Sequence, residues 1–285
     1  METKPAVGDL VDRYFVLHRE VSVTHHSLVY EAFHGYTGRH CIIKMLSPAA
    51  RQRPHASERL LREARLLTNA RSAPVPEVLA AGVCRTHGPY LAMELLRGRS
   101  LEGILMARHR LSAQEVTQLA YAACEALNDV HAAGIIHRDI KPGNIWITPA
   151  LRGDRALLID FDIATQLTPT AAAPRITRHG ELLGTPEYMA AEQIMGQIEE
   201  INERSDVYAL ASTLFECLTG ETPYPGGALP ALHAHATRSR APRPHDRDGS
   251  IPVGLSEAIA AALSHDPRDR PANARAFAAS ISRLV

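Results

Sequence analysis

The stretch His137-Arg138-Asp139-Ile140-Lys141-Pro142-Gly143-Asn144 decides how the rest of the chain is read. It sets a carboxylate (Asp139), a cation two residues on (Lys141) and an amide five residues on (Asn144) in one short loop. Phosphoryl transfer asks for that combination. A carboxylate accepts the proton of an attacking hydroxyl, a cation offsets charge on the phosphoryl oxygens, and an amide oxygen helps hold magnesium. A lone His-x-Asp often does no more than order a turn. Eight positions in register argue against that plainer reading.

Around this loop the chain has 285 residues, 45% of them hydrophobic, which suits one domain of two lobes with a substantial core. Lysine plus arginine and aspartate plus glutamate number 31 each, for a formal net charge of +0. Nucleic-acid binders usually show a basic excess, so nucleic acid is not expected as the main partner. Cys41, Cys84, Cys124 and Cys217 are scattered without a C-x-x-C pair and read as reduced, mostly buried thiols. No apolar run approaches the roughly 20 residues of a membrane helix, and the start of the chain does not resemble a signal peptide. A soluble, cytoplasmic protein is expected.

Tyr14–Val21, Leu28–Phe33 and Arg39–Met45 are β-branched or aromatic runs separated by turn residues and read as strands. Leu60, Ala64 and Leu67 then recur at helical spacing behind a Ser57 cap. Two more strands are expected at Glu77–Val83 and Tyr90–Glu94, before a break at Arg97-Gly98. Beyond it Ser112-x-x-Glu115 is a capping box, and Val116, Leu119, Ala120, Ala123, Leu127 and Val130 form one apolar stripe. Further helices are expected after Ser205, Pro252 and Pro271, and loops at Thr165–Pro174 and Thr237–Gly249. His25-His26 and His233-x-His235 have neither helical spacing nor cysteine partners and read as surface residues, not metal ligands.

The loop H-R-D-x-x-x-x-N resembles the protein-kinase catalytic loop. A small β-rich lobe over residues 13–97, a hinge near Glu94–Gly98 and a larger helical lobe over 98–285 are similar to the bilobal, α+β protein kinase fold. The likeness runs from about Arg13 to the end of the sequence and looks closest to bacterial serine/threonine kinases related to the eukaryotic ones. The sequence reads as nearly pure catalytic domain, without an appended sensor.

That resemblance implies a protein serine/threonine kinase using ATP and Mg2+. It makes Asp139 the base or orienting carboxylate, Lys141 its serine/threonine-class companion, and Asn144 and Asp160 the metal ligands. Lys44, in Cys41-Ile42-Ile43-Lys44, would contact the phosphates and pair with Glu63, with Glu58 the weaker candidate. The adenine would meet Val29, Ile42, the gatekeeper Met93 and, on the pocket floor, Trp146, with backbone groups of Glu94 to Leu96 alongside. Ile42 and Trp146 are bulkier than the usual residues. Thr185 would bridge toward Asp139 and Lys141, Glu192 would pair with Arg270, and Asp206 would hold the catalytic-loop backbone. Of Thr165, Thr168, Thr170, Thr177 and Thr185, the resemblance favours Thr177 for phosphorylation, with Arg138 as the cation that reads it.

Two departures stand out. Ser22, Thr24 and Ser27 occupy the three positions of the glycine-rich loop, where forced positive φ costs about 1–2 kcal/mol per residue. Asp162 follows Asp160-Phe161 where the family carries glycine. Together with Ile42 they support an alternative reading, a pseudokinase scaffold with weak or no phosphotransfer. A small-molecule kinase is disfavoured by Gly184–Glu192, which matches the segment that presents a protein substrate. Expected partners are protein substrates and a cognate phosphatase or regulator.

Overall fold

Alternation of buried Leu28, Tyr30 and Ala32 with part-exposed neighbours gives Ser27–His34 the period of two that marks a strand. The computed structural model describes residues 4–150, 154–162, 164–166, 185–237 and 241–282. The chain divides into two units, Met1–Arg97 with Asp160–Asp162, and Gly98–Ile159 with Ile163–Val285.

The first unit is built on β1 (Leu10–Val11), β2 (Phe15–Val23), β3 (Ser27–His34), β4 (His40–Leu46), β5 (Val78–Cys84) and β6 (Gly88–Glu94), with α1 (Pro48–Arg51) and α2 (Ala56–Asn69). The strands form one antiparallel sheet in the order β1-β2-β3-β4-β6-β5. Leu28, Tyr30, Ala32, Cys41, Ile43, Met45, Tyr90 and Ala92 form its apolar core. Each fully buried Leu, Ile or Met contributes about 1.5–3 kcal/mol. Register fills the other face. Val29 lies opposite both Ser22 and Lys44, and Ile42 opposite Met93. Directly opposed residues share a face, so four expected nucleotide-contacting residues (Ser22, Val29, Ile42 and Met93) line up with Lys44.

Helix α2 starts earlier than its sequence suggests. Ala56 is buried and joins the first turn, leaving His55 at the N-cap with a left-handed φ of 61° and no side-chain cap; Ser57 is already helical. Leu60, Ala64 and Leu67 are buried as their spacing requires.

The second unit contains β7 (Arg99–Ser100), α3 (Leu101–Arg108), α4 (Ala113–Ala132), β8 (Ile135–Ile136), β9 (Ile145–Thr148), β10 (Arg155–Leu158) and β11 (Thr165–Gln166). It continues through α5 (Ala191–Ile194), α6 (Glu203–Thr219), α7 (Ala228–Ala236), α8 (Pro244–Arg247), α9 (Val253–Ala262) and α10 (Ala274–Ser282). The Ser112/Glu115 capping box closes reciprocally on α4, whose apolar stripe is buried. Gly98 precedes β7 with φ 115°, and a Cβ there would stand 2.0 Å from the Ile147 carbonyl oxygen. Only glycine lets β7 pair with β9, which sets Ser100 opposite Trp146.

Two expected loops contain structure. Thr165–Gln166 pairs with β8, and residues 167–174 lie outside the described set. Pro244 opens α8, because its fixed φ suits a first helical position. Among the described residues no helix is long and apolar enough to cross a membrane. The four cysteines are free and buried.

Glu192 and Arg270 form a buried pair, with Arg270 Nη1 at 2.7 Å from Glu192 Oε1 and Nη2 at 3.0 Å from Oε2. The guanidinium also donates to the carbonyls of Ser264, Arg204 and His265. Removing one partner strands the other charge, so Arg270→Met should lose about 3–5 kcal/mol in urea unfolding. Arg270→Lys should recover little of it, lacking the planar fork.

His235 is not a surface residue. It lies 4% exposed in α7, with Nε2 3.3 Å from the Tyr208 hydroxyl and the His265 ring 6.0 Å away. The apolar face of α7 turns it inward, and burial pushes its pKa down to about 4, with His265 adding to the effect. The unfolded chain, with a pKa of about 6.5, therefore binds the proton first. Stability should fall by on the order of 3 kcal/mol between pH 6.5 and 4, and His235→Phe should flatten that slope in urea midpoints.

Candidate functional site

A single carboxylate holds the loop that follows β8. Asp206, fully buried in the first turn of α6, accepts the backbone N–H groups of His137 (2.8 Å) and Arg138 (2.7 Å) and a bond from His131 Nε2 (2.9 Å). Burial opposes its charge, but these donors outweigh burial and its pKa lies below the ordinary aspartate value. Arg138 is left-handed, φ 70°, a conformation that costs about 1–2 kcal/mol outside glycine. Its N–H bond to Asp206 and the Gln193 Nε2 bond to its carbonyl (2.8 Å) hold it there. His137 Nδ1 accepts the Asp139 N–H at 3.3 Å, so Nε2 carries the proton directed at the Ile159 carbonyl, 3.1 Å away.

This backbone presents Asp139. One of its oxygens, Oδ2, pairs with Lys141 Nζ (2.8 Å) and accepts from Asn144 Nδ2 (2.9 Å), while Oδ1 accepts the Thr185 N–H (3.3 Å). Lys141 Nζ also donates to Thr185 Oγ1 (2.8 Å), and Asn144 Nδ2 to the Asp139 carbonyl (2.8 Å). Asp139, Lys141, Asn144 and Thr185 thus come together in the second unit. With its amide nitrogen turned to Asp139, Asn144 keeps its oxygen on the other side, an oxygen donor that suits a hard cation.

In the first unit Lys44 Nζ donates to Glu63 Oε1 (2.9 Å) and Oε2 (2.8 Å) and to Asp160 Oδ1 (2.6 Å). Burial disfavours the ammonium, but the charges of Asp160 and Glu63 prevail and its pKa is raised. Burial pushes the Glu63 carboxyl up while Lys44 pulls it back. Glu63 Oε1 also takes the N–H of Phe161, whose ring is fully buried. Glu58, the weaker candidate, is exposed and pairs with His55.

Neither departure strains the backbone. In Asp160-Phe161-Asp162 the left-handed residue is Asp160, φ 64°, not Asp162. No residue from Ser22 to Val29 has positive φ. Thr24 closes the hairpin instead, its Oγ1 accepting the N–H groups of His26 (3.2 Å) and Ser27 (2.9 Å). The hydroxyls of Thr24 and Ser27 lie 3.2 Å apart. At the end of β6, Glu94 exchanges bonds with Glu77, its N–H to the Glu77 carbonyl (3.0 Å) and its Oε1 from the Glu77 N–H (2.9 Å). Leu96 is half-buried, as are Met93 and Trp146. Thr168, Thr170, Thr177 and Gly184 lie outside the described residues.

Sequence reading passed over His131, Gln193 and Ser205, which support Asp206, Arg138 and Glu192 respectively. His131 had a signal: it follows Leu127 by four residues on the apolar face of α4, so its ring needed a buried partner.

The sheet with its lysine–glutamate pair and the helical unit with its carboxylate-held loop define the two-lobed protein kinase fold. The crystal structure of the Mycobacterium tuberculosis PknI kinase domain shares it, with TM-score 0.74 and 24% identity over 99% of this chain and 100% of that one. The chain belongs to the protein kinase family, residues 18–280 matching the protein kinase domain model. It is 33% identical over 246 residues to the serine/threonine-protein kinase pkn3 of Myxococcus xanthus, covering 85% of this chain and 45% of that protein. It is 31% identical over 285 residues to the serine/threonine-protein kinase PknA of Mycobacterium tuberculosis, covering 98% of this chain and 63% of PknA. The chain thus spans less than two thirds of these relatives.

Lys44→Met would leave the Glu63 carboxylate buried without its cation. Its folded pKa would then rise further above the unfolded value of about 4.3, and the stability deficit should grow as pH rises. Urea midpoints at pH 5 and pH 8 should show a wider gap from wild type at pH 8, and adding Glu63→Gln should narrow it.

Proposed function

We propose that the chain is a protein serine/threonine kinase that transfers the γ-phosphoryl group of ATP to hydroxyls of protein substrates, itself among them. The arrangement of Lys141 and Thr185 around Asp139 carries this reading. In it Asp139 orients the attacking hydroxyl and accepts its proton, and Lys141 offsets charge on the transferred group. Lys44 binds the α- and β-phosphates. Asn144 and Asp160 supply the oxygens for Mg2+, which neutralises the triphosphate when bound. Val29, Ile42, Met93 and Trp146 take the adenine, with backbone groups of Glu94 and Leu96 alongside and Ser22, Thr24 and Ser27 toward the phosphates.

Thr185 beside the catalytic carboxylate supports a protein acceptor, since its segment would present the substrate. Thr177 and Arg138 are proposed as a phosphorylation site and its reader, with a phosphatase or regulatory protein as further partner. Relaxed φ angles at Asp162 and across the hairpin remove the strain that favoured a pseudokinase.

The purified chain, incubated with radiolabelled ATP, Mg2+ and a generic protein acceptor, should label serine and threonine. Asp139→Asn should reduce the rate about 10²–10⁴-fold. Equal labelling by wild type and variant would remove Asp139 from the reaction.

A further inference from the structure

We infer that Ser47 latches the β2–β3 hairpin, making it a fixed roof on the Lys44 face of the sheet and not a flap that closes on phosphates. Ser47 is a buried residue between β4 and α1, three positions after Lys44. Its Oγ donates to the His25 carbonyl (2.5 Å) and its N–H to the His26 carbonyl (3.0 Å). The same Oγ accepts the Ala50 N–H (3.0 Å) as the N-cap of α1. On the other side of the tip, Thr24 Oγ1 takes the N–H groups of His26 and Ser27, and the Thr24 N–H reaches the Ser27 carbonyl at 2.9 Å.

Both tip carbonyls and three tip amides are therefore committed to protein partners. A hairpin that cradles phosphate aims such amides at the ligand. Here they face a threonine hydroxyl and a strand carbonyl, so phosphate recognition falls on Lys44 and on side-chain hydroxyls of the hairpin, not on its amides, and the hairpin positions Ser22 and Val29. Because the latch orders the tip beforehand, nucleotide binding need not restrain it. Ser47 is thus a positioning residue, assigned on the kinase reading above, but its latch can be tested without nucleotide.

Ser47→Asp separates the two roles. Aspartate still caps α1 but has no proton for the His25 carbonyl; Ser47→Thr keeps both. Hydrogen exchange on the full chain, with β6 amides as internal reference, reads the difference. In Ser47→Asp the amides of residues 24–28 should exchange about tenfold faster than in wild type, and Ser47→Thr should match wild type. The KM for ATP should rise about 3–10-fold with kcat within about twofold. Wild-type residues 24–28 should exchange at nearly the same rate with and without Mg·ATP. Unchanged exchange in Ser47→Asp would overturn the latch, as would strong protection of the wild-type tip by Mg·ATP. Failure of all forms to transfer phosphate would reject the kinase reading and leave the exchange comparison to judge Ser47.

Discussion

The loop that presents Asp139 depends on one fully buried carboxylate. Asp206 gathers two consecutive backbone amides and the His131 imidazole. Taking both the His137 and Arg138 N–H groups forces the backbone through a left-handed residue at Arg138. That turn aims Asp139, and Asp139 in turn collects Lys141, Asn144 and the Thr185 amide. A group held on that many sides loses little on reaching reactive geometry, which is what positioning for catalysis requires. Local propensity would not produce this loop. The three donors on Asp206 offset the left-handed residue.

Lys44 has the corresponding role in the sheet unit, with an asymmetry. Its carboxylate partner Glu63 is 1% exposed, whereas Asp160 is 43% exposed. Breaking the pair with Glu63 would strand a buried charge, whereas the exposed Asp160 carboxylate keeps its hydration if its pair with Lys44 opens. The helix-borne glutamate fixes the ammonium, and the solvent-facing aspartate is the partner that can change. Glu63 also holds the Phe161 amide, so α2 and the residues beside Asp160 are anchored through one carboxylate.

Much of this was legible in the sequence because it depends on spacing. Period-two strands put Ser22, Val29, Ile42 and Lys44 on one face, and the stripe on α4 is the buried one. Lys44–Glu63, Thr185–Lys141 and Glu192–Arg270 meet as the family resemblance implied. What spacing could not reveal was backbone angle and local hydrogen bonding. Serines and threonines in place of glycines suggested a strained hairpin, yet Thr24 builds a turn in which no residue needs positive φ. Asp162 likewise avoids that region because Asp160 enters it. His235 and Ser57 misled for a related reason: whether a polar residue faces inward depends on neighbours that are remote in sequence.

The proposed function requires that the chain bind a magnesium-bound nucleotide and that Lys44 contribute to that binding. The chain has a single tryptophan, Trp146, on the strand after the Asp139 loop, so its emission reports one location. Titration with Mg·ATP should shift that emission saturably in wild type, and the shift should disappear in Lys44→Met. An unchanged spectrum, with no binding by calorimetry at millimolar nucleotide, would contradict the account.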